Sequence, residues 1–142
     1  MKFPEVLENI HRTVNRQWAR DGARIGLSHS EFEYLRAIHE RETEKVCCEN
    51  QGHNLQDVVA TMGIKKASAS AMIVKLEKRG LVERLQCRAD ARAQHLILTQ
   101  KGVQYLQRGE QVYEAAAAML RSEFSRGLAD QSNLTSVQTA EP

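Results

Sequence analysis

Residues 63–86 read GIKKASASAMIVKLEKRGLVERLQ, and this stretch decides the fold. Ala69, Met72, Ile73 and Leu76 recur at helical spacing and so line one face of a helix, while Gly80 stands where a left-handed C-cap would close it. Just upstream, Leu55, Val58, Val59 and Met62 make a shorter helix. Asn54 and Asp57 open it with the Asx form of a capping box, and Gly63 ends it. Two helices joined by a glycine-centred turn are a helix-turn-helix. Beyond Gly80, Leu81–Cys87 and Gln94–Leu98 are short β-prone runs around the polar, basic Arg88–Ala93, which predicts a hairpin with a charged tip.

Working outward, Phe3, Leu7, Ile10, Val14 and Trp18 form a helical stripe that Asp21-Gly22 is expected to break. Ser28 and Glu31 form a second capping box, and Leu27 and Phe32 have the spacing of a hydrophobic staple, so another helix starts near His29 and runs to about Glu42. Residues 42–53 have no period and read as a loop. Thr99 caps a last helix carrying Val103, Leu106, Tyr113, Ala117, Leu120 and Phe124 to about Gly127, after which Leu128–Pro142 is expected to fray. The predicted architecture is a single, mainly α domain with a small β-hairpin wing. In it, a winged helix-turn-helix lobe (28–99) is flanked by dimerisation helices (1–26 and 100–127), with a frayed tail at 128–142.

The chain has 142 residues, 42% of them hydrophobic and 27% charged, which suits one globular domain. Neither a membrane span nor a signal peptide is evident, so a cytoplasmic protein with no membrane partner is expected. Three cysteines, two of them adjacent, do not make a secreted disulfide framework and fit reduced thiols. No glycine-rich phosphate loop, Ser/His/Asp constellation or His-Glu-x-x-His helix is present, so the chain does not read as an enzyme.

Charge is distributed unevenly. Within residues 65–95, Lys65, Lys66, Lys75, Lys78, Arg79, Arg84, Arg88 and Arg92 face only Glu77, Glu83 and Asp90, whereas both flanks are mildly acidic. A double-stranded DNA backbone would be drawn to this middle third. A helix packed through Ala69, Met72, Ile73 and Leu76 turns Ala67, Ser70, Ala71, Val74 and Lys78 outward, flanked by Ser68 and Lys75. Small apolar groups there suit thymine methyls, and hydroxyls suit either base edge. Lys65 and Lys66 are placed as phosphate clamps. Arg88 and Arg92 have the reach to enter a minor groove, with Asp90 either holding Arg92 or forming a purely structural pair with it. Arg79 and Arg84 can instead pair with Glu77 and Glu83.

Residues 27–102 resemble the MarR family of bacterial winged-helix regulators. The resemblance is carried by Gly63-Ile64, Ala67-Ser-Ala-Ser70, Leu76-Glu-Lys-Arg-Gly-Leu-Val-Glu-Arg84, Asp90-Ala-Arg92 and Leu98-Thr-Gln-Lys-Gly102. It implies a homodimer built by the first and last helices, and a transcription regulator, repressing in the expected case, that binds an inverted-repeat operator under control of a small ligand. Lys65, Ala67 and Ala71 depart from the family's usual Ser, Pro and Arg, so the operator sequence does not carry over. The family's usual final helix is not evident in Leu128–Pro142.

The connection holding Cys47, Cys48, Glu49 and His53 is longer than the family's. With His39, Glu42 or Glu44, these residues could bind a thiophilic metal such as zinc or copper, or the thiols could sense oxidants. Adjacent cysteines are a poor match to structural zinc spacing, and inert thiols are the third reading. Cys87 reads as packing, and His11 and His95 as surface or interface residues. The alternative to a DNA-binding regulator is a winged-helix module that contacts protein.

Overall fold

The computed structural model describes residues 2–43, 59–60, 62–86 and 94–137. The elements are α1 (Phe3–Ile25), α2 (His29–Thr43), α3 (Lys66–Lys78), β1 (Val82–Gln86), β2 (Gln94–Leu98) and α4 (Gln100–Val137). Val59, Ala60 and Met62 are also helical, and the Gly63 N–H donates to the Val59 carbonyl at 2.9 Å. Among the described residues the chain is mainly α with one antiparallel hairpin, as expected. It divides into two compact units, Met1–Asp21 with Glu110–Pro142, and Gly22–Gly109.

Two helix ends differ from the sequence reading. Helix α1 passes through Asp21-Gly22 and stops at Gly26, whose φ of 75° is the left-handed conformation that a side chain resists. There the Leu27 N–H bonds back to the Gly22 carbonyl at 3.1 Å, so it is the sharp C-cap that ends the helix. Helix α4 does not stop at Gly127 but continues to Val137, into the stretch expected to fray. One interior glycine costs about 1 kcal/mol, too little to end a helix that is already propagating.

In the first unit, the α1 and α4 segments run antiparallel. The Asn9 amide donates to Glu123 at 3.3 Å, while Trp18, nine residues further along α1, meets Tyr113 edge-on at 6.2 Å. Thr13, Gln17, Trp18, Val112 and Ala116 are buried. The other end of the predicted stripe is open: Phe3 is 73% exposed and Leu7 51%, and Met119 and Phe124 are also exposed on α4.

In the second unit, Leu27, Phe32, Leu35, Ile38, Ile73, Leu76, Leu81, Leu96 and Leu106 form the core, with α2 packed on β2 and α3 on β1. Local rules place these elements. The Ser28 N–H donates to Glu31 Oε1 and the Glu31 N–H to Ser28 Oγ, both at 3.1 Å, completing the capping box of α2, while Leu27 and Phe32 of the staple are buried. Helix α3 ends as expected. Gly80 has φ 72°, its N–H reaches the Glu77 carbonyl at 2.9 Å, and the Leu81 N–H reaches Leu76 at 3.0 Å, which together form a Schellman motif. The hairpin pairs Val82 with Leu98 through to Gln86 with Gln94.

Thr99 joins the base of this hairpin to α4. Its N–H donates to the Leu81 carbonyl at 3.0 Å and its hydroxyl to the Gly80 carbonyl at 2.6 Å, and Oγ1 accepts the Gly102 N–H at 3.0 Å as the expected N-cap. Two glycines let backbone approach closely. A Cβ on Gly102 would lie 2.1 Å from the Leu81 carbonyl oxygen, and one on Gly109 would lie 2.1 Å from the Phe32 ring.

Candidate nucleic-acid interface

Helix α3 has two sharply different faces. Ala69, Ile73 and Leu76 are fully buried, whereas Ala67, Ala71, Val74 and Lys78 are exposed. At about 100° per residue these four lie opposite the buried line. Ser68 and Lys75 flank them in the open, but Ser70, expected outward, and Met72, expected in the packed line, are both half-buried at the edges between the two faces. Lys65 is the N-cap residue, exposed, with extended backbone (φ −75°, ψ 138°) and no side-chain capping bond. No acidic residue occupies the first turn. Lys66 begins the helix.

The other expected site residues have mixed fates. Arg88, Asp90 and Arg92, and likewise Cys47, Cys48, Glu49 and His53, lie outside the described residues, as does the Asn54–Asp57 capping box. His39 sits half-buried on α2, and among the described residues no three His, Cys, Asp or Glu side chains gather as a metal site. His95, expected at a surface or interface, is buried on β2. On that strand His95 is buried on one face and Leu96 and Leu98 on the other, so burial does not follow the two-residue alternation.

Arg84 pairs with Glu77, in keeping with the structural reading, but Arg79 does not pair with Glu77 or Glu83. Its guanidinium pairs with Glu31 at the start of α2, donates to the Gly26 carbonyl at 2.5 Å, and lies 5.4 Å from the Tyr105 ring centre. Lys101 donates to the Arg79 carbonyl at 3.1 Å, and Arg108 covers the same ring at 4.6 Å. Burial works against a charge on Glu31, yet the Ser28 N–H and then the Arg79 guanidinium outweigh it and hold the carboxyl below its ordinary value. The C-terminal end of α3 is thus anchored to the α1–α2 corner. Glu31 is legible in the sequence as a capping residue but not as the partner of Arg79, because the two stand 48 residues apart with no periodic pattern linking them.

A glycine-turned helix pair whose second helix shows a bare, lysine-flanked face, followed by a hairpin, is a winged helix-turn-helix. Residues 27–93 match the model of the MarR family. Among curated proteins, none matches the chain in sequence. Solved structures share the fold along most of its length. A MepR–DNA complex from S. aureus superposes with a TM-score of 0.65 at 13% identity, covering 99% of each chain. A transcriptional regulator from Thermotoga maritima gives 0.61 at 20% identity, covering 95% of this chain and 92% of that one. A MarR-family transcriptional regulator from Rhodococcus sp. RHA1 gives 0.59 at 22% identity, covering 93% and 85% respectively. No helix among the described residues is long and apolar enough to cross a membrane.

Proposed function

We propose that the chain is a transcription regulator, acting as a repressor, that binds an inverted-repeat DNA operator as a homodimer. The observation that carries this reading is the two-faced α3, anchored inside through Ala69, Ile73 and Leu76 and presenting Ala67, Ser68, Ala71, Val74 and Lys75 on its open side. The MarR-family match and the DNA-bound S. aureus neighbour support it. Lys65, Lys66, Arg88 and Arg92 contact phosphate or enter the minor groove, with Asp90 steadying Arg92. Phe3, Leu7, Ile10, Met119 and Phe124, exposed in the single chain, become the dimer contact, and two-fold symmetry then places recognition helices about 34 Å apart on the duplex. An effector shifts DNA affinity, and Cys47, Cys48 and His53, with His39, are the first candidates for its site, through zinc, copper or thiol oxidation.

The test is binding to a duplex selected from a random pool, measured against salt. The selected inverted repeat is expected to bind far more tightly than random DNA. Lys65→Glu with Lys66→Glu is expected to flatten the log–log salt slope by about 0.9 for each phosphate that is no longer neutralised. Equal binding to selected and random duplex at every salt concentration refutes the proposal. Charge reversals that leave DNA binding unchanged would favour a module that contacts protein. For the effector, metal analysis and thiol counting on anaerobically purified protein precede the same assay with Cys47→Ser and Cys48→Ser. A metal-free protein indifferent to oxidant and to both changes removes the sensor.

A further inference from the structure

Resting on the DNA-binding reading, we infer that α3 specifies its half-site through thymine C5-methyl groups, with Val74 as the principal reader and Ala67 and Ala71 beside it. Three observations converge on this. First, Lys66–Lys78 contains no Arg, Asn or Gln, the side chains that make bidentate contacts to guanine or adenine edges. Second, Ala67, Ala71 and Val74 follow one another at intervals of four and three, within about 60° of arc and opposite the fully buried Ala69, Ile73 and Leu76. The line from Ala67 to Val74 rises ~10 Å, the length of about three base-pair steps. Third, Val74 is 41% exposed, a branched apolar side chain in the middle of a face otherwise made of alanine, serine and lysine.

The lysines show what covers this face. Lys65, Lys75 and Lys78 are all exposed around it, and the first turn of α3 is free of acid, so the partner is a polyanion with apolar groups on its floor. A major groove provides both, and the only apolar group on its floor is the thymine methyl. Against cytosine, Val74 would strand an N4 donor without an acceptor; against guanine it would cover N7 and O6 without a donor. Both penalties and the methyl contact favour thymine at the same position. Ser68 and Lys75, on the flank, discriminate weakly because a hydroxyl and a single ammonium suit more than one base edge.

The experiment uses the full-length protein and the inverted repeat selected from the random pool. Uracil, which differs from thymine only by the missing methyl, replaces each thymine in turn. Dissociation constants are read by fluorescence anisotropy for the wild type and for Val74→Ala, whose melting temperature is checked against wild type. Thymines in a three-base-pair window of each half-site are expected to lose about four-fold in affinity on conversion to uracil, the worth of one buried methyl. Paired replacement in both half-sites should cost roughly fifteen-fold. Val74→Ala should bind the uracil and thymine duplexes equally at one position per half-site. A preferred duplex that tolerates uracil everywhere overturns the inference alone, as does uracil sensitivity that Val74→Ala leaves unchanged at every position. A pool that yields no preferred duplex overturns the DNA-binding reading and this inference with it.

Discussion

Replacing Arg79 with Met removes a guanidinium from Glu31, Gly26 and Tyr105 together while keeping most of the side chain's apolar stem. The Glu31 side chain is 6% exposed, so its carboxylate keeps the Ser28 N–H but loses its cation in a poorly solvated position. Breaking a buried ion pair from one side costs about 3–5 kcal/mol. Arg79 is 31% exposed, so water screens the pair and roughly half that figure applies, about 2 kcal/mol. Removing the cation from the face of Tyr105 brings the total to about 2–3 kcal/mol. Glu31→Gln leaves no buried charge and keeps an oxygen for the Ser28 N–H, so about 1 kcal/mol is expected.

At roughly 3–5 °C per kcal/mol for a domain of this size, Arg79→Met should melt about 10 °C below wild type and Glu31→Gln about 4 °C below, at matched protein concentration. The pH dependence gives a second reading. Glu31 titrates below its ordinary 4.5 in the folded protein, so its ionised form contributes stability fully above about pH 5.5. That contribution is lost as pH falls through the lowered folded value. The gap between wild type and Glu31→Gln in thermal melts should therefore narrow between pH 6 and pH 3. A gap that stays constant over that range, or an Arg79→Met protein no less stable than Glu31→Gln, would refute the assigned role of the charge.

Three further outcomes are expected. Gly102→Ala should destabilise the protein by about 3 kcal/mol, because its Cβ would meet the Leu81 carbonyl oxygen, while Gly127→Ala, with open space around it, should stabilise α4 by about 0.5–1 kcal/mol; thermal melts separate the two. Thr99→Val removes the bond to the Gly80 carbonyl and the cap on the Gly102 N–H, costing about 1–2 kcal/mol by urea denaturation. Leu7→Glu, at an exposed position of the proposed dimer face, should shift sedimentation velocity from the proposed dimer towards monomer with little loss of helical circular dichroism; a wild type that sediments as monomer refutes the proposed dimer, and a dimer unchanged by the substitution places the contact elsewhere.

The parts legible in the sequence are those governed by short-range rules. Ser28 with Glu31, Gly80 after Leu76, and Thr99 before Gly102 are local hydrogen-bonding patterns, and each forms as written. The inward and outward faces of α3 follow from periodicity because the lobe has one core and the helix packs on it along one line. The departures have physical causes too. Asp21-Gly22 and Gly127 resemble helix ends, but glycine stops a helix only where the backbone turns left-handed, as at Gly26. Sequence shows Arg79 only its near acidic neighbours, whereas the fold brings α2 to it. His95 reads as an outside residue because a two-residue alternation does not reveal that residues on opposite faces of β2, His95 and Leu96, are both buried.

The hydrogen bonds of Thr99 have a consequence for how the hairpin can change. The two strands meet at the Val82–Leu98 pair, and immediately below it Thr99 ties the chain leaving α3 to the chain entering α4. A stem closed at its root does not depend on its far end to hold register. Exchanging or recharging the seven residues from Cys87 to Ala93 should therefore leave the pairing from Val82–Leu98 to Gln86–Gln94 in register. On the proposed reading, in which Arg88 and Arg92 enter a minor groove, groove preference would then change without any change to the core.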